Sequence, residues 1–183
     1  MEQVHIEGRT FELFIRYESI KDRVMEIAKE ISYKFEHLDP VFLPILNGSF
    51  MFTADLLKNV NIKSSVQFIK VASYQGDSSS GQVKSLLGLS DNLAGKHIII
   101  LEDIIDTGLT MKYLLEELNK QNPASIFVVT LLYKKESLQY PIIPDIACFD
   151  ITQEFVVGYG LDYDGYGRNL RHIYKEKGVR DKE

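Results

Sequence analysis

The chain has 183 residues, 45% of them hydrophobic and only five of them proline, which suits one domain, spanning 1–183, with a buried core. Its formal charge of −5 argues against a partner that is nucleic acid bound without regard to sequence, because that mode needs a basic face to release counterions from phosphates. A lone cysteine, Cys148, excludes an internal disulfide, and no Cys/His spacing suggests zinc. With no charged leader and no run near ~18 apolar residues, a cytoplasmic chain with no membrane partner is expected.

From Ser19 onward, Ile20, Val24, Ile27, Ala28, Ile31 and Phe35 recur at helical spacing, with Ser19 and Asp22 placed to cap an amphipathic helix. After the break at Pro40, Val41 to Leu46 reads as a buried strand. Asn47-Gly48-Ser49 then turns it into a helix from Phe50 to Lys58. Val66 to Ser73 is a further strand, followed by a small, polar surface loop from Tyr74 to Val83. His97 to Leu101 is a β-branched run of the kind covered on both faces, Leu109 to Lys120 a helix, and Ile126 to Leu132 the next strand. The segment from Pro141, rich in Tyr, Asp and Gly, reads as an appended lobe. Strands alternating with helices predict an α/β fold with a mainly parallel twisted sheet, whose ligands bind beyond the carboxyl ends of strands near a topological switch.

The chemistry concentrates in Glu102-Asp103-Ile104-Ile105-Asp106-Thr107-Gly108-Leu109-Thr110, read as one strand-to-helix turn. Asp106, Thr107, Gly108, Leu109 and Thr110 can wrap a phosphate with successive backbone N–H groups, threonine hydroxyls and the positive end of a helix dipole. Glu102 and Asp103, being anionic, suit ribose hydroxyls and a hydrated Mg²⁺, a hard cation that takes oxygen ligands. The competing structural reading is a helix cap beside two solvated acids.

The stretch Ile98 to Thr110 resembles the phosphoribosyl-pyrophosphate motif of type I phosphoribosyltransferases, in the form typical of the hypoxanthine-guanine branch. Further motifs follow the same family order. Leu46-Asn47-Gly48-Ser49 is similar to its pyrophosphate loop; Ser73-Tyr74, Ser79-Ser80-Gly81 and Val83-Lys84 to its flexible loop; Thr130 to Lys134 and Glu154 to Tyr163 to its purine-binding segments. The resemblance implies a parallel α/β core, about 19–140, and a small hood from about 1–18 and 141–183. It implies Mg²⁺ as cofactor, phosphoribosyl pyrophosphate and a 6-oxopurine base as substrates, purine salvage as the activity, and a homodimer or homotetramer.

Carried over residue by residue, the resemblance makes Asp106 the general base near the purine N7. Lys134, with Lys135 as the neighbouring alternative, becomes the donor to the exocyclic oxygen. Phe155 becomes a stacking face and Val156 a main-chain partner for the base. Asp162 joins Glu102 and Asp103 as a metal ligand, and Arg168 neutralises pyrophosphate. Leu46, Asn47 and Gly48 offer pyrophosphate their backbone, behind a non-proline cis peptide at Leu46–Asn47, although Asn47 stands where many relatives carry lysine. Ser73 and Tyr74 touch substrate from a loop that folds over the site. The resemblance leaves open a xanthine or other base, and a non-catalytic sensor of phosphoribosyl pyrophosphate.

Overall fold

A computed structural model describes residues 2–73, 83–89 and 92–178. The strands are β1 (Gln3–Ile6), β2 (Arg9–Ile15), β3 (Val41–Leu46), β4 (Ser65–Val66), β5 (Ile69–Ser73), β6 (Val83–Leu87), β7 (His97–Ile105), β8 (Ser125–Tyr133), β9 (Ile146–Asp150), β10 (Val156–Val157) and β11 (Ile173–Glu176). The helices are α1 (Tyr17–Lys34), α2 (Phe50–Leu57) and α3 (Leu109–Asn119). Among the described residues the larger sheet runs β6-β5-β3-β7-β8-β9, with β4 also on β3, and the smaller runs β1-β2-β11-β10. Every pairing in the larger sheet is parallel except β5 with β6.

Alternation along the central strands explains why helices cover both faces. Phe42, Ile99 and Leu101 pack with Ile20, Val24, Ile27 and Ile31 of α1 and Phe52 and Leu56 of α2. Val41, Leu43, Ile98 and Ile100 face Met111, Leu114 and Leu118 of α3. Each such side chain withdrawn from water contributes roughly 2 kcal/mol before conformational entropy is counted. A third cluster, Val4, Phe11, Val157 and Tyr174, is the core of the smaller sheet.

The chain runs outward from β3 to β5 and then crosses back to lay β7 on the other side of β3, so the switch in strand order lies between β3 and β7. The loops after Leu46 and Ile105 therefore open into one crevice, where an open parallel sheet binds ligands.

Four local expectations change. Helix α1 starts two residues before Ser19, and no side chain of its own caps it. The Tyr17 N–H donates instead to His172 Nδ1 at 2.9 Å, a cap from the far end of the chain that satisfies an end-of-helix donor. The strand expected over Val66 to Ser73 is split at Gln67 and Phe68: β4 pairs with Val41 and Phe42, β5 with Ile45 and Leu46. Pro44, which lacks a donor, falls between the two segments. Strand β7 continues through Ile105, so Glu102 and Asp103 are strand residues and only Asp106 to Gly108 turn. Finally, β9 joins the larger sheet beside β8, so the boundary expected near 141 falls after Asp150.

Candidate active site

Parallel register brings the first pair of chemical groups together. Ile105 of β7 lies opposite Tyr133 of β8, so the next residue on each strand, Asp106 and Lys134, emerges at the same sheet end. Lys134 Nζ donates to Asp106 Oδ2 at 2.8 Å, and the Lys134 N–H donates to the Ile105 carbonyl at 2.9 Å. Lys134 is only 7% exposed whereas Lys135 is exposed, so of the two neighbours it is Lys134 whose ammonium lies beside Asp106. A buried ammonium needs such a partner, and the Asp106 side chain, 46% exposed, leaves its other edge toward the crevice.

Beyond Asp106 the turn is braced from outside. The Thr107 carbonyl accepts the N–H groups of Gln139 and Tyr140 at 3.0 and 3.2 Å. Gly108 precedes α3, and the first-turn N–H groups at Leu109, Thr110 and Met111 have no acceptor within the helix. Leu109 makes only a long 3.4 Å contact to Thr107 Oγ1. Glu102 and the residues from Ile104 to Met111 line a single cavity. A small anion entering it meets free amide hydrogens and a helix dipole.

Glu102 is buried, 8% exposed, and its Oε2 has no hydrogen-bond partner. Burial, and then the Asp103 carboxyl beside it, push the Glu102 pKa well above the usual carboxylate range. Burial also raises Asp103, against the opposing pull of the Ile104 N–H (2.8 Å), Glu102 and the Arg168 guanidinium. With a raised folded-state value, Glu102 keeps in the folded chain a proton that the unfolded chain releases. Stability is therefore fully present below the ordinary glutamate value and lost as pH rises from there toward the raised one. Glu102→Gln is accordingly expected to melt higher than the parent at pH 7.5 in a chelating buffer, with the difference closing at pH 4. Melts showing the parent equal or more stable at pH 7.5 would count against this.

The loop after β3 reaches the same acids. The Leu46–Asn47 peptide is cis, as the resemblance implied. A Cβ on Gly48 would lie 1.4 Å from Asp103 Oδ2, so any side chain here would force the carboxylate from its place. On its other side, a Cβ on Gly160 would lie 2.0 Å from the Gly48 carbonyl oxygen, and Gly160 has φ +103°. Gly160 was not singled out from the sequence; the Gly158-Tyr159-Gly160 alternation was its visible signal.

Gly160 ties the smaller sheet's segment to the crevice. Arg168 donates to the Gly160 carbonyl at 2.8 Å and pairs with Asp162 at 2.6 Å, while Asp162 Oδ2 takes the Gly165 N–H at 2.8 Å. Both Asp162 oxygens are thus already engaged. Ile151 donates its N–H to the Tyr133 carbonyl, so the segment leading to Phe155 departs beside Lys134. Phe155, 42% exposed, meets Tyr163 edge-on at 5.8 Å and Phe11 at 6.3 Å. Val156 lies in β10, an edge of its sheet, with main-chain groups turned away from β11. Ser73 closes β5; Tyr74, Ser79, Ser80 and Gly81 lie outside the described residues.

Residues 16–164 match the family model described as the phosphoribosyl transferase domain. The hypoxanthine-guanine phosphoribosyltransferase of Aquifex aeolicus is 38% identical over 171 residues, covering 92% of this chain and 96% of its own. The enzyme of the same name from Lactococcus lactis is 40% identical over 162 residues, 88% of each chain. A solved hypoxanthine phosphoribosyltransferase of Trypanosoma cruzi, studied for the role of its C-terminal region in oligomeric state and activity, superposes with a TM-score of 0.84 at 36% identity and 95% coverage of both chains. The parallel α/β fold, the crevice at its strand switch and this breadth of similarity make the chain a member of the phosphoribosyltransferase family, in its hypoxanthine-guanine branch.

Proposed function

We propose that the chain is a purine-salvage enzyme that joins hypoxanthine or guanine to the ribosyl carbon of phosphoribosyl pyrophosphate, releasing pyrophosphate. The observation that carries this reading is the Asp106–Lys134 pair at adjoining strand ends, an acceptor and a buried donor presented side by side to one small planar molecule. Lys134 donates to the 6-oxo group. Adenine, with an amine there, would leave that donor unpaired, which is a strong discriminator. Asp106 receives the N7 proton as N9 forms its bond to the anomeric carbon and the bond from that carbon to pyrophosphate breaks. Phe155 offers its ring for stacking and Val156 its main chain to the base edge.

The 5′-phosphate takes the amide hydrogens of the Asp106–Thr110 turn, and pyrophosphate takes the backbone at Asn47 and Gly48 together with Arg168. Since this contact is made by backbone, asparagine at position 47 leaves it intact. The residues fit a hard divalent cation: adjacent carboxyls at Glu102 and Asp103, one buried oxygen without a partner, and a Glu102 pKa pushed up by burial and by the neighbouring Asp103. Glu102 and Asp103 would orient Mg²⁺ and the ribose hydroxyls; Asp162, whose oxygens hold Arg168 and the Gly165 N–H, would serve a second ion beside pyrophosphate only by releasing Arg168 to the leaving group. Bound there, Mg²⁺ supplies neutralising charge for the leaving group.

No described helix is long and apolar enough to cross a membrane. The working form is read as a homodimer or homotetramer; the Trypanosoma cruzi protein was studied for the role of its C-terminal region on oligomeric state. One assay panel tests the activity: phosphoribosyl pyrophosphate with each of hypoxanthine, guanine, xanthine, adenine and uracil, with and without Mg²⁺. Turnover of hypoxanthine or guanine with the metal alone is expected. Uracil as the only substrate, or no turnover of any base, would overturn the assignment.

A further inference from the structure

Tyr159 has no part in the chemistry above, yet it is among the largest fully buried side chains in the protein. It sits at φ +49° between Gly158 and Gly160, halfway along the segment carrying Phe155 and Val156 at one end and Asp162 and Arg168 at the other. Its hydroxyl donates to Asp55 Oδ2 at 2.8 Å. Burial first, and the Asp55 carboxylate second, raise the phenol's pKa, so it remains a donor throughout the working range.

Asp55 stands on α2, the helix that begins at Phe50 directly after Asn47-Gly48-Ser49. Its other oxygen takes Lys58 Nζ at 2.8 Å, and the Tyr17 phenol at the start of α1 lies near enough to feel the Asp55 charge, which raises its pKa after burial does. Tyr17 and Tyr159 lie ring to ring at 6.0 Å. One residue beyond Tyr159, the Gly160 backbone presses against the Gly48 carbonyl with no room for a methyl group. The smaller sheet's segment is therefore fastened to α2 by a side-chain hydrogen bond immediately beside the point where it touches the pyrophosphate loop by backbone.

We propose that Asp55 and Tyr159 are a positioning pair: their hydrogen bond sets how closely the Val156–Asp162 segment sits on the Asn47–Gly48 loop, and so sets the enzyme's affinity for the pyrophosphate end of the donor. An O–H to carboxylate bond with a buried donor is directional and short, so it fixes this distance more sharply than apolar packing, which tolerates sliding. The inference rests on the phosphoribosyltransferase reading, because it needs pyrophosphate as the occupant of that loop.

Tyr159→Phe removes the hydroxyl and keeps the ring. Asp55→Asn retains an acceptor for the hydroxyl while losing the charge and the contact with the exposed Lys58. Expected for Tyr159→Phe is a rise of about tenfold in KM for phosphoribosyl pyrophosphate, with KM for the base and kcat within about threefold of the parent. Asp55→Asn should stay within about twofold of the parent in all three. Asp55→Ala, which takes the acceptor away from the helix side, should reproduce the tyrosine variant's split, so an unfolded Tyr159→Phe does not leave the pair unexamined. Amide hydrogen exchange of the 46–50 peptide, read without any substrate, should quicken in Tyr159→Phe and Asp55→Ala but not in Asp55→Asn. An unchanged donor KM in the folded hydroxyl-free variants, or Asp55→Asn as impaired as Asp55→Ala, overturns the positioning role. An inactive parent chain whose 46–50 exchange still responds to the variants overturns the activity reading and leaves the mechanical coupling standing.

Discussion

Asp106→Asn is expected to lower kcat about a hundredfold while raising KM for the donor no more than a few-fold, measured in steady state with saturating Mg²⁺. Asparagine matches aspartate in shape, so the turn after β7 and the Thr107 contacts to Gln139 and Tyr140 persist. What disappears is the charge that takes up the N7 proton and faces the developing positive charge on the ribose. General-base assistance of this sort is worth about 10²–10⁴-fold, and the lower end applies because the remaining binding groups are untouched. A second consequence is thermodynamic. Lys134 Nζ, 2.8 Å from Asp106 Oδ2, loses its counter-charge in a place with little water. Breaking a fully buried pair is severe, but Asp106 is about half exposed, so a loss of about 1 kcal/mol is expected, read as a lower melting temperature. A kcat within threefold of the parent would remove Asp106 from the chemistry.

The other large effect belongs to a residue with no side chain. Gly48→Ala places a methyl group 1.4 Å from Asp103 Oδ2 and 2.3 Å from its Cγ, so the carboxylate must leave its position. The backbone cannot retreat the other way, because Gly160 already presses on the Gly48 carbonyl. An acid displaced by an ångström or more no longer serves the ribose and metal, and misplacement on that scale costs about 10²-fold. The expected result is a fall of at least about a hundredfold in kcat/KM for phosphoribosyl pyrophosphate, with KM for the base little changed. Gly160→Ala gives the control: its methyl group meets backbone at a φ of +103°, so it should lose more stability than Gly48→Ala, seen in a denaturant titration. Wild-type kcat/KM in Gly48→Ala would show that Asp103 is dispensable where it stands.

Much of the site was legible because its signals are local. Ile98 to Leu101 alternates between two covered faces, and the acids and glycine that follow within nine residues mark, without long-range information, the turn proposed to hold the 5′-phosphate. Even so, the strand end was misjudged: hydrogen bonds to β8 carry β7 on to Ile105, which polar composition at Glu102-Asp103 conceals. The same holds for α1, whose start depends on His172 rather than on Ser19. For β9, a short run past two prolines, membership in the larger sheet comes from pairing with β8, and nothing within Ile146–Asp150 announces it.

Periodicity and turn chemistry in the chain alone established the α/β class, the order of α1, β3, α2, β7, α3 and β8, and the strand-to-helix turn that begins at Asp106, because each rests on contacts between residues a few positions apart. The tertiary structure alone decided that Lys134 rather than Lys135 faces Asp106, that Gly48 lies against Asp103, and that Tyr159 is fastened to Asp55. These pairs are separated by dozens of residues or depend on strand register, and which groups meet across such distances follows from how the sheet orders its strands rather than from any neighbouring residue.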